Sequence, residues 1–320
     1  MFYSIHHLTK FRYSAPVSES ILELRMQPRS EGTQRCLHFQ LQVKPRTTVF
    51  SYRDYLGNMV HHFDVPGQHR QLVITAEAMV DVQPSAPLPE TLGPQAWDDL
   101  ARDIASIDLW EMLTPSHFAH NTPALMEFGE ELGFGPDDQV RQRDPLQFVL
   151  DLNLAVFGAI AYTPKSTRVD SPIDDALNNR KGVCQDFAHI TLALLRQKGI
   201  PARYVSGYLF HRNEDHSAEG ATHAWVEVWM PNLGWIGLDP TNNVLAGERH
   251  VRTAVGRDYA DVPPSRGVFK GEAQGELTVA VRVTPSDAPP PPETEIHEED
   301  WTAVIEGQTT TEAAVQQQQQ

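Results

Sequence analysis

The chain has only two cysteines, Cys36 and Cys184, in 320 residues. Two are too few, and too unlike in context, for a disulfide framework or a cysteine-based structural zinc site. Long apolar runs are missing as well. No stretch approaches the roughly 20 residues that cross a bilayer as a helix. Nor does the sequence open with a basic segment followed by an apolar one, the pattern of a secretory leader. Together these absences lead to the expectation of a reducing compartment, the cytoplasm, and of no membrane partner. Basic charge is scarce, with 26 Lys and Arg against 42 Asp and Glu and a net charge of −16. Sequence-independent nucleic-acid binding needs a basic surface, so nucleic acid is not expected as a partner. Residues 285–320 hold no Lys or Arg; they carry the run Pro289-Pro290-Pro291-Pro292, an acidic block and the tract Gln316 to Gln320. Such a segment buries too little apolar surface to offset its ordering entropy, and disorder is the expectation there. Trp301, Val304 and Ile305 form a small apolar stripe within it.

Apolar residues make up 40% of the chain, enough for a sizeable core. Residues 1–83 read as β. Phe2 to Tyr13, Ile21 to Met26, Leu37 to Val43, Thr47 to Tyr52, Met59 to Val65 and Leu72 to Val80 are rich in aromatic, β-branched and leucine residues. Several alternate apolar with polar, and short strands at this spacing suggest an antiparallel sandwich. Residues 84–95, rich in proline, mark a linker. Residues 96–284 change to a helical pattern and then to strands. Asp144-Pro145 predicts a helix start, as N-cap and first helical residue, and that helix ends before Pro164. Ser171-Pro172 opens a short helix, and a third helix runs from about Cys184 to Gly199, a favoured C-terminal residue. Strands follow at Ala202 to Phe210, Thr222 to Met230 and Trp235 to Asp239, with a last one at Glu276 to Val283. A helix group followed by an antiparallel sheet reads as α+β.

Three strings carry chemistry. In Gly182-Val183-Cys184-Gln185-Asp186, the cysteine falls at a helix N-terminus. Free N–H groups and the helix dipole favour a thiolate there, and the thiolate is the useful nucleophile. The plainer alternative is a buried packing cysteine. In His223-Ala224-Trp225-Val226-Glu227-Val228-Trp229-Met230, alternation sends Ala224, Val226, Val228 and Met230 to one apolar face. His223, Trp225, Glu227 and Trp229 go to the other. In Gly234-Trp235-Ile236-Gly237-Leu238-Asp239-Pro240, Asp239 faces the same way as Trp235. If Pro231-Asn232-Leu233 forms a three-residue turn, Trp229 opposes Trp235 and Asp239 opposes Trp225. His223 is then the diagonal neighbour of Asp239, within reach of a hydrogen bond. A carboxylate that engages one imidazole nitrogen fixes the tautomer of the other. The expected constellation is Cys184 as nucleophile, His223 as base and Asp239 as orienting group.

Other histidines carry less. In His6-His7 and His61-His62, adjacent strand residues point to opposite faces and make poor chelates. His189 lies about 140° around the helix from Cys184. No metal or cofactor site is expected. His211 and His216 fall in a charged loop that is expected to rim the cleft.

The strings above, with Gly199-Ile200-Pro201-Ala202-Arg203-Tyr204-Val205-Ser206-Gly207-Tyr208, resemble the transglutaminase-like superfamily. The match is to the bacterial group in which an N-terminal β domain precedes a papain-like core. It covers about residues 1 to 285, and the acidic tail has no counterpart. The resemblance implies a papain-like transglutaminase core behind an all-β, sandwich-like domain. It also implies acyl transfer from a peptide or protein amide through a thioester, with the roles of Cys184, His223 and Asp239 as above. By its place in the family, Tyr162 is implied as the second oxyanion donor, beside the Cys184 backbone N–H. Calcium-dependent animal members carry Trp directly after the nucleophile, where this chain has Gln185. That departure, and the lack of an EF-hand loop, argue against calcium-dependent crosslinking. Trp225, Trp229 and Trp235 are expected as cleft walls, and Asp186 beside the cleft with a dipole or hydrogen-bond role. Three functions remain open: a cysteine amidase or peptidase, a transferase to an amine, and a binding protein without activity. The oligomeric state is not legible.

Overall fold

The computed structural model describes residues 1–135 and 138–286. The acidic tail, including Trp301, Val304 and Ile305, lies outside the described residues. No helix among those described is long and apolar enough to cross a membrane.

The N-terminal region is built on two very long strands, β1 (Phe2–Leu24) and β4 (Met59–Val82), paired antiparallel along most of their length. Between them in sequence lie β2 (Gln34–Lys44) and β3 (Phe50–Arg53), which pair with the two ends of β4. The sequence reading divided β1 and β4 into two strands each. The register shifts between Arg12 and Val17 and again before Glu19, so the strand bends there while its pairing resumes. Leu22, Leu24, Phe63 and Val65 from beyond the bend pack with Leu72, Ile74, Ala76 and Val43 from before it. The bent sheet folds on itself, and the sandwich is made by strands that run through both layers.

The helices are α1 (Ala96–Ser106), α2 (Pro123–Glu131), α3 (Pro145–Ala159), α4 (Ile173–Asn179) and α5 (Cys184–Gln197). Two short strands, β5 (Ala161–Tyr162) and β6 (Lys181–Gly182), pair parallel beside the start of α5. Asp144 caps α3 as its sequence indicates, its Oδ1 accepting from Leu146 N–H at 2.9 Å. Gly199 closes α5 at φ +70°, a left-handed conformation that favours glycine. Helix α5 is the axis of the core. Phe187, Ala188, Ile190, Leu192, Ala193, Leu194 and Leu195 are all buried, because other elements cover it all round.

The second sheet holds β7 (Ala202–Leu209), β8 (His223–Met230), β9 (Gly234–Asp239), β10 (Val244–Leu245) and β11 (His250–Gly256). Their spatial order is β10-β9-β8-β7-β11. One face lies in the α5 core, through Ala202, Tyr204, Ala224, Val226, Val228, Met230, Ile236 and Leu238. The other is covered by the N-terminal region, where Leu56 packs with Val205, Trp225 and Val255; Tyr3, Ile5, Ala78 and Val80 also pack with Tyr208 and Val251.

The last two strands, β12 (Ser265–Lys270) and β13 (Gly275–Ser286), depart from expectation. They pair with β1, at Glu19–Leu24 and Phe2–Tyr13, and not with the core sheet. These final strands complete the N-terminal sheet. A local pattern identifies a strand but not its partner.

Candidate functional site

Cys184 opens α5, where the chain turns out of β6. Gly182 is required at this turn: a Cβ there would come within 2.9 Å of the Asp186 side chain. Asp186 is buried at 1% exposure and serves as the helix cap. Its Oδ2 accepts from Val183 N–H at 2.8 Å and from the Thr167 hydroxyl at 2.5 Å. Burial raises its pKa to about 6 against these donors. It closes the helix end through these hydrogen bonds.

The hairpin β8–β9 adopts the register that a three-residue turn demands: Met230 opposes Gly234, Trp229 opposes Trp235 and Val226 opposes Leu238. That register brings His223 and Asp239 together, with His223 Nε2 at 2.8 Å from Asp239 Oδ2. Both are buried, at 3% and 0% exposure. Asp239 accepts five hydrogen bonds. Oδ1 takes Thr241 N–H at 3.0 Å and Asn242 N–H at 3.3 Å. Oδ2 takes His223, the Asn242 amide at 2.8 Å and His250 Nε2 at 3.1 Å. Burial alone would raise its pKa, but the histidines and their hydrogen bonds hold it well below the carboxylate range. Burial likewise works against charge on His223. The Asp239 charge, its hydrogen bond and a hydrogen bond with the Cys184 thiol outweigh it, and the imidazole pKa rises to about 10. With Nε2 turned to Asp239, Nδ1 is the ring nitrogen left for the thiol. Cys184, His223 and Asp239 are thus brought into one chain of contacts.

Tyr162 lies in the parallel bridge opposite Gly182, two residues before Cys184. Its hydroxyl oxygen accepts from Ala218 N–H at 3.0 Å, which leaves the hydroxyl proton free to donate. Burial, then the Cys184 charge, push its pKa up to about 12, so the phenol keeps that proton. The segment His211 to Ser217, expected beside the cleft, is tied to the site. Asn242 Oδ1 accepts from His216 N–H at 2.8 Å and Ser217 N–H at 3.1 Å. Arg249 pairs with Asp215 at 2.7 Å.

The three tryptophans are held by packing and by polar partners. Trp225 is stacked on His223 at 5.9 Å but is fully buried, against Val205, Val255, Leu56 and Ala246. Leu56 brings the N-terminal region into this cluster. Gly207 makes room for the ring, since a Cβ there would meet Trp225 at 2.6 Å and the Val251 carbonyl at 2.1 Å. Trp229 donates to Asp103 at 2.9 Å, and Trp235 lies under the Arg203 guanidinium at 4.3 Å. Both are engaged by other parts of the structure.

Two site residues escaped the sequence reading. Asn242 had a local signal in Asp239-Pro240-Thr241-Asn242, a turn in which an Asp side chain caps the next backbone N–H groups. His250 had none, because it reaches Asp239 only through the pairing of β11 with β7. His223, Asp239 and His250 offer atoms within 4.8 Å of one another, as a metal site would. Hydrogen bonds already join them, however, and His250 Nδ1 faces the Gly247 N–H at 3.3 Å. Of the remaining histidines, His189 accepts from Tyr259 N–H at 3.2 Å and His7 bonds the Tyr208 hydroxyl at 3.0 Å. Cys36 bonds the His38 carbonyl at 3.3 Å, and burial pushes its thiol up to about 11.

Comparison with known proteins agrees with this geometry. Residues 3–81 match the bacterial transglutaminase-like N-terminal region, and residues 137–240 match the transglutaminase-like superfamily. An uncharacterized protein of Mycobacterium leprae is 33% identical over 282 residues, covering 87% of this chain and 96% of that one. A protein-glutamine gamma-glutamyltransferase of Pseudomonas aeruginosa is 34% identical over 130 residues, 35% of this chain and 18% of its own length. Among solved structures, a candidate cysteine protease from Cytophaga hutchinsonii superposes with a TM-score of 0.67 at 22% identity, over 91% of this chain and 93% of that one. It shares the fold, helices on an antiparallel sheet with a β region in front. The chain belongs to the transglutaminase-like superfamily.

Proposed function

We propose that the protein is a cysteine-dependent acyl-transfer enzyme that cleaves an amide or peptide bond of a peptide or protein substrate. The observation that carries this reading is the 2.8 Å bond between His223 Nε2 and Asp239 Oδ2, which turns the other imidazole nitrogen to the thiol at the start of α5. An imidazolium and a helix N-terminus both favour a thiolate beside them. The Cys184 sulfur attacks the carbonyl carbon. The tetrahedral oxyanion is met by the Cys184 backbone N–H and the Tyr162 hydroxyl. The C–N bond breaks as His223 gives its proton to the leaving amine, and a thioester remains. Water, losing a proton to His223, then releases the acid and restores the thiolate beside the imidazolium. Asp239 holds the imidazole and balances its charge throughout.

A second reading puts an amine in place of water at the last step. The sequence identity to the Pseudomonas gamma-glutamyltransferase favours it. A blocked glutaminyl-glycine peptide, with and without hydroxylamine, separates the two. Glutamate formation insensitive to hydroxylamine indicates hydrolysis, and a hydroxamate indicates transfer. Both products vanish in Cys184→Ala, which is expected to melt at the wild-type temperature. If iodoacetamide reacts with Cys184 no faster than with an ordinary thiol, and equally fast in His223→Ala, the catalytic reading is overturned.

A further inference from the structure

Asp239 carries two histidines, and the catalytic scheme uses one. His250 begins β11 and is 5% exposed. Its Nε2 stands 3.1 Å from the same Asp239 Oδ2 that His223 approaches at 2.8 Å. The two imidazoles are 6.1 Å apart, and Trp225 meets His250 edge-on at 5.2 Å.

The protonation of His250 follows from its neighbours. Its Nδ1 lies 3.3 Å from the Gly247 N–H, which can only donate, so Nδ1 is bare. The proton of the neutral ring is then on Nε2, aimed at a carboxylate that can only accept. Burial lowers the pKa of His250, and His223 and Arg249 act in the same direction against Asp239. One neutral tautomer therefore satisfies both contacts. An aromatic hydrocarbon would fill the space equally well but would leave Asp239 one donor short. A metal ligand at Nε2 would need the ring proton on Nδ1, where it would face the Gly247 N–H donor to donor.

We propose that His250 is a positioning residue of the acyl-transfer site: its Nε2–H holds the Asp239 carboxylate in the orientation that keeps His223 turned to Cys184. This rests on the triad reading above. Among the donors to Oδ2, Asn242 is attached to the turn that follows Asp239 and moves with it, as do the Thr241 and Asn242 N–H groups on Oδ1. His250 comes from a different strand, on the far edge of the sheet, and ties the carboxylate to the body of the fold.

The test is the iodoacetamide rate of Cys184 at pH 7, in a Cys36→Ser background, read by intact mass alongside thermal midpoints. His250→Phe keeps the bulk and removes the donor; a roughly 10-fold slower reaction is expected, the scale of a lost hydrogen bond to a charged group. His250→Gln places an amide N–H near the position of Nε2 and is expected within about twofold of wild type, a rescue that simple packing would not give. A wild-type rate in folded His250→Phe overturns the proposal. So does equal slowing in His250→Phe and His250→Gln when both are folded. If His250→Phe does not fold, His250→Asn, too short to reach Asp239, replaces it, and equality with His250→Gln again overturns it. A His223→Gln variant without effect on the rate sinks the triad reading itself, an outcome distinct from any of the His250 results.

Discussion

The two faces of the core sheet are buried by different means. On the α5 side, Val226 and its neighbours meet Phe187 and the leucines of the helix, and packing alone covers them. On the other side, one residue along the same strand, Glu227 is 3% exposed and held by charge. Its Oε2 is 2.6 Å from Arg203 and its Oε1 3.1 Å from Arg252, while Arg203 stacks on Trp235. The N-terminal region closes over this polar face through Glu31, Gln34 and Leu56. His223, Asp239 and His250 belong to the polar face. A buried charge is tolerated only where partners are supplied, so a site built from a carboxylate and two imidazoles fits the face already organised for polar groups. The N-terminal region thus packs behind Trp225 and His223 as a buttress.

The largest expected way to break this contrast is Val226→Asp, which puts a charge into the apolar α5 core. A loss of about 5 kcal/mol or more is expected, enough to unfold a typical domain, read by urea denaturation. Glu227→Ala attacks the other face by leaving two guanidinium groups without their carboxylate. A loss of about 3 kcal/mol is expected in the same assay. A much smaller value would show the network to be solvated.

A third test compares two buried acids. Unlike Glu227, Asp186 has no cation paired with it among the described residues, and its pKa rises to about 6 from an unfolded value of 3.8. The folded state therefore binds this proton more tightly than the unfolded state. The sign follows: ionisation above pH 6 costs stability, and that cost disappears as the pH falls towards 4. Asp186→Asn should remove about 1–2 kcal/mol of the stability difference between pH 7.5 and pH 5. An unchanged pH slope in thermal melts would exclude Asp186 as its source. The smallest expected effect is that of Leu56→Ala, which loosens the cover over Trp225. About 1 kcal/mol is expected from this half-buried leucine, with Cys184 alkylation slowed a few fold. Alkylation at the wild-type rate would separate the buttress from the site.

Much of the site was legible because its geometry is local. Cys184 follows a glycine turn into a helix. His223 and Asp239 lie on one hairpin whose register a three-residue turn dictates. The period-2 alternation of His223–Met230 separates the apolar face from the polar one without knowledge of what covers either. Trp225 marks the limit of that pattern: alternation shows which way a side chain points, and not whether solvent or Leu56 lies beyond it. His250 was invisible for a related reason. Its contact with Asp239 passes through the order of strands in the sheet, and β11 reaches its place by pairing with β7 on the edge away from β8. The bent strands β1 and β4 and the return of β12 and β13 to the first sheet belong with it.

The sequence by itself determined the elements, the helix-start cysteine and the His223–Asp239 pairing, since each depends on residues joined by a short, stiff stretch of chain. Tertiary structure alone decided which surfaces are covered, which histidine shares Asp239 and where the last strands pair. Those outcomes depend on contacts between segments far apart in the chain, whose partners are selected by the packing of the whole fold.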